Sequence, residues 1–422
     1  MNLTTETQRA QRRIISFFLV LALVLCLVPH ALDSQSPSPT ASAVPPLPVV
    51  KVHPPAEPIR AVQLLTLAAA DYPELDRRFQ AFRAAGVNTV ILRVFHNPGD
   101  RFLEVAQARS DRGVYFQNSQ MPVVDDVLLP IVELAHRHGL RLFAWMTTRY
   151  ADYGVEDNEE LRCMAYDFAT GRPAPARGQS VLLPEVQTRL VRVFEELARY
   201  PIDGVLLQDD LMLRHNEDFN PRVQNLYRLT TGREMDPQGF YRGVHPRGNG
   251  KYRVDHYSPE FWQWSRWKRD RLLDLAERLR EAVHRGRPGI PVGLNLYYET
   301  ALQPEDALAW FSQDLEAAAG RDFEFLCLML YHRQMQKEMG LTPRRLFAVM
   351  NSGTERLLAA AGEPGRAVLK FQTVDWETGE SIPSAELQRY LDQAARHPGV
   401  SLALVPAGAS LDLEMVSAVY SH

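Results

Sequence analysis

From residue 60 onward, short aliphatic runs alternate with longer stretches in which apolar residues recur every three or four positions. The runs begin at Ala61 (AVQLLTL), Asn88 (NTVILRVF), Arg141 (RLFAWMTT), Gly204 (GVLLQDD), Pro291 (PVGLNLYY), Glu324 (EFLCLML), Ala367 (AVLKFQTVD) and Val400 (VSLALVPA). Most are apolar at consecutive positions rather than alternate ones, the pattern of parallel strands covered on both faces. Between and after them the helical period predicts helices over residues 72–85, 123–138, 184–200, 259–285, 304–319, 343–361, 384–397 and 411–420, several opening at proline, where a missing N–H is harmless. Eight strand-then-helix units over about 360 residues predict an α/β fold, a (β/α)8 TIM barrel with insertions. The longest insertion, 211–258, follows the fourth strand and is expected to lie over the catalytic face. A doubly wound open sheet is the main competitor, but no glycine-rich nucleotide loop follows the first strand.

The start of the chain breaks this rhythm. Arg9, Arg12 and Arg13 precede an uncharged apolar run over residues 14–29, the order of an export signal. That run is slightly short of the ~20 residues that span a bilayer, so cleavage and retention as a membrane anchor are both compatible with it. A Ser-, Pro- and Ala-rich stretch follows, too poor in large apolar residues to fold and suited to a semi-rigid spacer. The expected organisation is a signal or anchor over 1–32, a linker over 33–58 and the barrel over 59–422. It places the protein outside the cytoplasm, in the periplasm or at the cell surface.

Composition narrows the chemistry. The chain has 422 residues, 45% hydrophobic and 23% charged, with a net charge of −4, so it lacks the basic field that a nucleic-acid partner requires. Cys26, Cys163 and Cys327 show no metal-ligand or disulfide spacing, and no metal or cofactor is expected. The fourth strand run ends in Asp209 and Asp210. Because neighbouring strand residues face opposite ways, one of the two should enter the barrel mouth and the other a neighbouring loop. Two close carboxylates also raise the pKa of one of them, which suits acid and base work near neutral pH. A glycosidase needs a second carboxylic group about 5–9 Å from the first, and Glu217 and Glu299 are the candidates. Other strand ends bring His96, Trp145, Asn295, Tyr297, Tyr331, Gln372, Asp375 and Trp376, an aromatic and polar rim matched to the apolar faces and hydroxyl edges of sugars.

Several segments carry a family likeness: AAGVNTVILRVF at Ala84, YFQNSQMPVVDD at Tyr115, DGVLLQDDLMLRHNEDFNP at Asp203, FWQWSRWKRDRL at Phe261, NLYYETALQPEDALAWFSQDL at Asn295 and LKFQTVDWETGESIP at Leu369. With them the chain resembles, over nearly the whole barrel, the C-terminal glycoside-hydrolase-like domain of bacterial poly-β-1,6-N-acetyl-D-glucosamine N-deacetylases of the PgaB type, proteins of biofilm exopolysaccharide. The resemblance implies a barrel that binds, and in some members cleaves, partially de-N-acetylated poly-β-1,6-glucosamine in an electronegative site. It maps Asp209 and Asp210 onto the family's acidic motif, and Tyr297, Asp375 and Trp376 onto its groove. Only about sixty residues precede the barrel, so the family's deacetylase activity is not expected. The chain departs from the pattern at Gln208, at His215, where a further acidic position of the same loop becomes a site-facing histidine, and at Arg333 beside strand six, where the family tends to carry a glutamate. The partner carboxylate therefore falls to Glu217 or Glu299. Three readings are in play: hydrolysis of an amino-sugar polysaccharide by carboxylate catalysis, a non-catalytic exopolysaccharide-binding barrel, and an unrelated barrel chemistry such as an aldolase. Lys370 is the only strand-end lysine that the last could use for a Schiff base.

Overall fold

The computed structural model describes Pro55 and residues 57–67, 69–248 and 251–420, all within one compact unit, Val52–His422. The expected export segment and nearly all of the spacer lie outside the described residues. Among those residues, no helix is long and apolar enough to cross a membrane.

Eight parallel strands close into a barrel: β1 (Arg60–Leu64), β2 (Thr89–Arg93), β3 (Arg141–Met146), β4 (Gly204–Leu207), β5 (Val292–Tyr297), β6 (Phe325–Met329), β7 (Ala367–Gln372) and β8 (Ser401–Val405), with β8 paired back to β1. Helices α1 (Tyr72–Ala84), α2 (Leu128–Arg137), α3 (Pro184–Leu197), α4 (Pro221–Thr231), α5 (Pro259–Gly286), α6 (Glu299–Leu302), α7 (Pro304–Phe311), α8 (Leu315–Ala319), α9 (His332–Glu338), α10 (Pro343–Ala361), α11 (Ser384–Ala395) and α12 (Leu413–Tyr420) link the strands. The strands are apolar at consecutive positions because the barrel interior and the helices bury both faces. Two glycines make the interior fit: a Cβ on Gly293 would lie 2.1 Å from the Phe325 ring and one on Gly204 2.7 Å from the Phe143 ring. Those two rings meet across the barrel at 5.9 Å. At the far end of the chain, the Tyr420 hydroxyl donates to the Ala61 carbonyl at 2.9 Å and pins α12 to β1.

The structure departs from the expected elements in ways that have local causes. Strand β4 stops at Leu207, and the Gln208 N–H still reaches the Met146 carbonyl at 3.0 Å, so both carboxylates fall in the turn beyond the strand. Helix α2 starts at Leu128 rather than at residue 123, because Val124 pairs with Val114 and the Asp125 carboxylate accepts the Gln107 N–H at 2.7 Å. The single helix expected over 304–319 is two, split at Ser312, whose φ of 52° is left-handed and whose hydroxyl donates to the Leu213 carbonyl. A hairpin that the sequence pattern did not announce, Arg162–Asp167 with Arg172–Gln179, follows β3.

The insertion after β4 was expected to cover the site. It folds instead as α4 and a second hairpin, Tyr241–Gly248 with Lys251–Tyr257, whose aromatic residues pack on Phe168 of the first hairpin. None of its residues lines the cavity described next.

Candidate active site

Strand register alone places four side chains in one ring at the carboxyl-terminal end of the barrel. Gln63 on β1 pairs through Ile91 with Phe143, and Trp145 lies two residues further along β3. Trp145 pairs through Leu206 with Gly293, two before Asn295; Asn295 pairs through Cys327 with Val368, two before Lys370. Lys370 pairs through Ala403 with Ala61, two before Gln63, and the ring closes. This is the layer that alternate strands build in a TIM barrel of shear eight. Here it is polar.

Above that layer opens a cavity of about 340 Å³, walled by Trp145, Asp209, Tyr297, Tyr298, Tyr331, Gln334 and Trp376, with Gln63 and Lys370 below. Asp209 is the carboxylate in this wall, and it accepts a hydrogen bond from the Tyr297 hydroxyl at 3.3 Å. Burial, and next the charge of Asp209, raise the pKa of the Tyr297 phenol well above its ordinary value, so it remains a donor to that carboxylate. Tyr297 is held flat against Phe311, with ring centroids 4.3 Å apart. Tyr331 and Trp376, further along the lining, meet edge-on at 5.6 Å, and Trp376 is 37% exposed. Asp209 thus shares one opening with the aromatic groups expected to hold sugar rings.

Asp210 turns the other way. Its buried carboxylate accepts from the Thr147 hydroxyl (2.6 Å), the Thr148 N–H (3.0 Å) and hydroxyl (2.9 Å), and the Tyr150 N–H (2.8 Å). Burial raises its pKa, and these four donors work against that rise. Its part is to fix the loop after β3 against the turn that carries Asp209; it does not line the cavity.

The other sequence candidates divide in the same manner. Glu217 is locked in a buried, two-pronged pair with Arg149 (2.7 and 2.8 Å) and also accepts the Arg214 N–H at 3.0 Å. Burial opposes its charge, but Arg149 outweighs burial and holds the carboxyl below its ordinary range, so it is a permanently ionised structural group and no proton donor. Glu299 is not in the cavity lining but follows Tyr298, which is. Burial, reinforced by Glu338, pushes its carboxyl up to about 7, and one of its oxygens has no partner. The Tyr298 hydroxyl donates to Glu338 at 2.8 Å.

His96 is buried between Phe102, stacked at 4.1 Å, and the Tyr115 hydroxyl at 2.9 Å, away from the cavity. His215 belongs to the aromatic cluster of the insertion, bonded to the Tyr257 hydroxyl at 3.0 Å, and burial pushes its pKa down to about 4. Gln372 caps the start of α9: its carbonyl oxygen accepts the Arg333 N–H at 3.1 Å and the Gln334 N–H at 3.2 Å. Asp375 shapes the turn that presents Trp376, accepting the Glu377 N–H at 2.9 Å, and pairs with Arg333. Asn295 lies in the polar layer and accepts from the Lys370 amine at 3.4 Å.

Sequence reasoning missed Gln63 and Gln334 as wall residues and treated Lys370 only as a Schiff-base candidate. The available signal was a lone polar residue inside an apolar strand, Gln63 in AVQLL and Lys370 in AVLKF. The electronegative site implied by the resemblance is not what the cavity shows, because its lining pairs one carboxylate, Asp209, with one amine, Lys370.

With this geometry in hand, the comparisons with known proteins are decisive for the family. The model of hypothetical glycosyl hydrolase family 13 matches residues 70–402. The chain belongs to that family. No curated protein matches it. Among solved structures, the glycoside hydrolase domain of PgaB (BpsB) from Bordetella bronchiseptica superposes with a TM-score of 0.66 at 21% identity, covering 87% of this chain and 99% of that one. The β-galactosidase of the psychrophilic Marinomonas ef1 gives 0.59 at 10% identity over 86% of this chain and 59% of its own. The catalytic domain of β-amylase from Paenibacillus polymyxa gives 0.50 at 10% identity over 85% and 95%. At such identities the likeness is one of fold, a glycoside-hydrolase-like (β/α)8 barrel.

Proposed function

We propose that this glycosyl hydrolase family member cleaves an amino-sugar polysaccharide, partially de-N-acetylated poly-β-1,6-N-acetylglucosamine, with Asp209 as its principal carboxylate. The observation that carries the reading is Asp209 at the wall of an open cavity between aromatic faces, hydrogen-bonded to Tyr297, while Asp210 and Glu217 are consumed by structural contacts. Glu299 is the proton-bearing partner: a carboxyl raised to about 7 is still about half protonated at neutral pH, the poise that suits a general acid. The substrate follows from the sequence resemblance; the family and the PgaB domain of like fold support the glycoside-hydrolase part of the reading. The apolar run over 14–29 and the spacer after it support a barrel held outside the cytoplasm, anchored to a membrane where the signal is uncleaved.

The test is to incubate the purified protein with partially deacetylated polymer and look for shorter oligomers by mass spectrometry. Wild type should release them, and Asp209→Asn should not. The second reading, a polysaccharide-binding barrel without hydrolysis, is favoured by the single carboxylate in the cavity wall. It prevails if wild type retains the polymer yet leaves it intact.

A further inference from the structure

The floor of the cavity is unusual for a barrel interior because it is unfinished. Gln63 is 0% exposed, and neither its amide nitrogen nor its oxygen has a partner; the Trp145 indole N–H, on a residue 8% exposed, and the Asn295 amide nitrogen, on one 1% exposed, also have none. Lys370 is 2% exposed, lies over the Trp145 ring at 5.7 Å and donates to Asn295, and among the described residues it forms no ion pair. Buried polar groups are costly when unpaired; Gln63 and Trp145 carry such groups on the cavity lining, Lys370 lines it beside them, and Asn295 lies in the same layer behind Lys370, which marks a place that a ligand completes. Their balance is lopsided. Lys370, Trp145 and Asn295 present donors, and Gln63 presents a donor and the one open acceptor.

We infer that this layer of Gln63, Trp145, Asn295 and Lys370 is a specificity subsite that takes a neutral, acceptor-bearing substituent, the acetamido group of an N-acetylated sugar, and rejects the free ammonium of a deacetylated one. The carbonyl oxygen of an acetamido group accepts from the donor cluster, and its N–H answers the Gln63 oxygen. An ammonium brings three donors and no acceptor to a floor of donors, beside a second amine, and its one opposite charge, Asp209, stands in the wall above rather than in the floor. A carboxylate substituent would meet the donors equally well but would face Asp209 in the same cavity. The inference rests on the amino-sugar reading of the site and refines it. In a mixed polymer, the floor admits only the acetylated residues.

The test compares binding of two β-1,6-linked trisaccharides, one fully N-acetylated and one fully de-N-acetylated, by titration calorimetry at about pH 6, a pH chosen on the acid side because burial lowers the pKa of Lys370 from the usual amine range. Wild type should bind the acetylated form about tenfold or more tightly than the amine. Lys370→Met should cut that preference to about threefold or less by relieving the repulsion. Gln63→Met, which leaves all charges in place, should weaken the acetylated ligand about tenfold and the amine by less than about twofold, and it serves if Lys370→Met does not fold. Equal or better binding of the amine by wild type overturns the floor inference while the amino-sugar reading stands. So does an unchanged preference in the folded variants. Failure of both trisaccharides to bind removes the amino-sugar reading and this inference with it.

Discussion

The two adjacent aspartates should behave as opposites when each is replaced by alanine. Asp210 is buried with four donors aimed at its carboxylate, two of them backbone N–H groups of Thr148 and Tyr150 that can find no other partner. The Thr147 and Thr148 hydroxyls can rotate to new acceptors, but the two N–H groups cannot. Each buried donor left unpaired costs about 1–3 kcal/mol, so Asp210→Ala should destabilise by about 3–5 kcal/mol, with part of the loss offset because a buried carboxylate no longer has to be desolvated. Asp209 is only half-buried and makes one long hydrogen bond at 3.3 Å, so Asp209→Ala should stay within about 0.5 kcal/mol of wild type. Urea unfolding followed by far-UV circular dichroism measures both. Alongside it, hydrolysis of the partially deacetylated polymer should vanish in Asp209→Ala at undiminished stability. The division of labour is refuted if Asp209→Ala unfolds as early as Asp210→Ala, or if Asp210→Ala matches wild type in urea.

Further outcomes follow from the same contacts. Burial raises the Glu299 carboxyl from 4.5 to about 7, so its contribution to stability is fully present below pH about 4.5 and is lost as pH rises through about 7; Glu299→Gln should be more stable than wild type at pH 8 and little changed near pH 5, read from thermal melts across pH. If Glu299 is the general acid, the same variant should also lose hydrolysis with polymer binding intact. Removing Glu217 strands the buried Arg149 guanidinium, and Glu217→Ala should cost about 3–5 kcal/mol in urea unfolding, far more than an exposed ion pair would. Trp376→Ala deletes a half-exposed platform that supports no core, so polymer affinity should fall about tenfold by titration calorimetry while the melting temperature stays put.

Much of the fold was written along the chain, since consecutive apolar residues in runs such as VIL at Val90 and LCLML at Leu326 leave a strand no solvent-facing side, and helical periods between them supply the covering layer. That the fourth strand run closes on the acidic pair Asp209 and Asp210 was equally legible, although the strand itself stops earlier, at Leu207. Local pattern could not say which acid is free. Asp210 and Glu217 look like Asp209 in sequence, and only the approach of Thr147, Thr148, Tyr150 and Arg149 from β3 and the loop after it turns them into structural groups. Nor could it say that Gln63, Trp145, Asn295 and Lys370 meet. They are scattered over more than three hundred residues, and the shear of a closed barrel, a property of all eight strands together, is what brings them to one level.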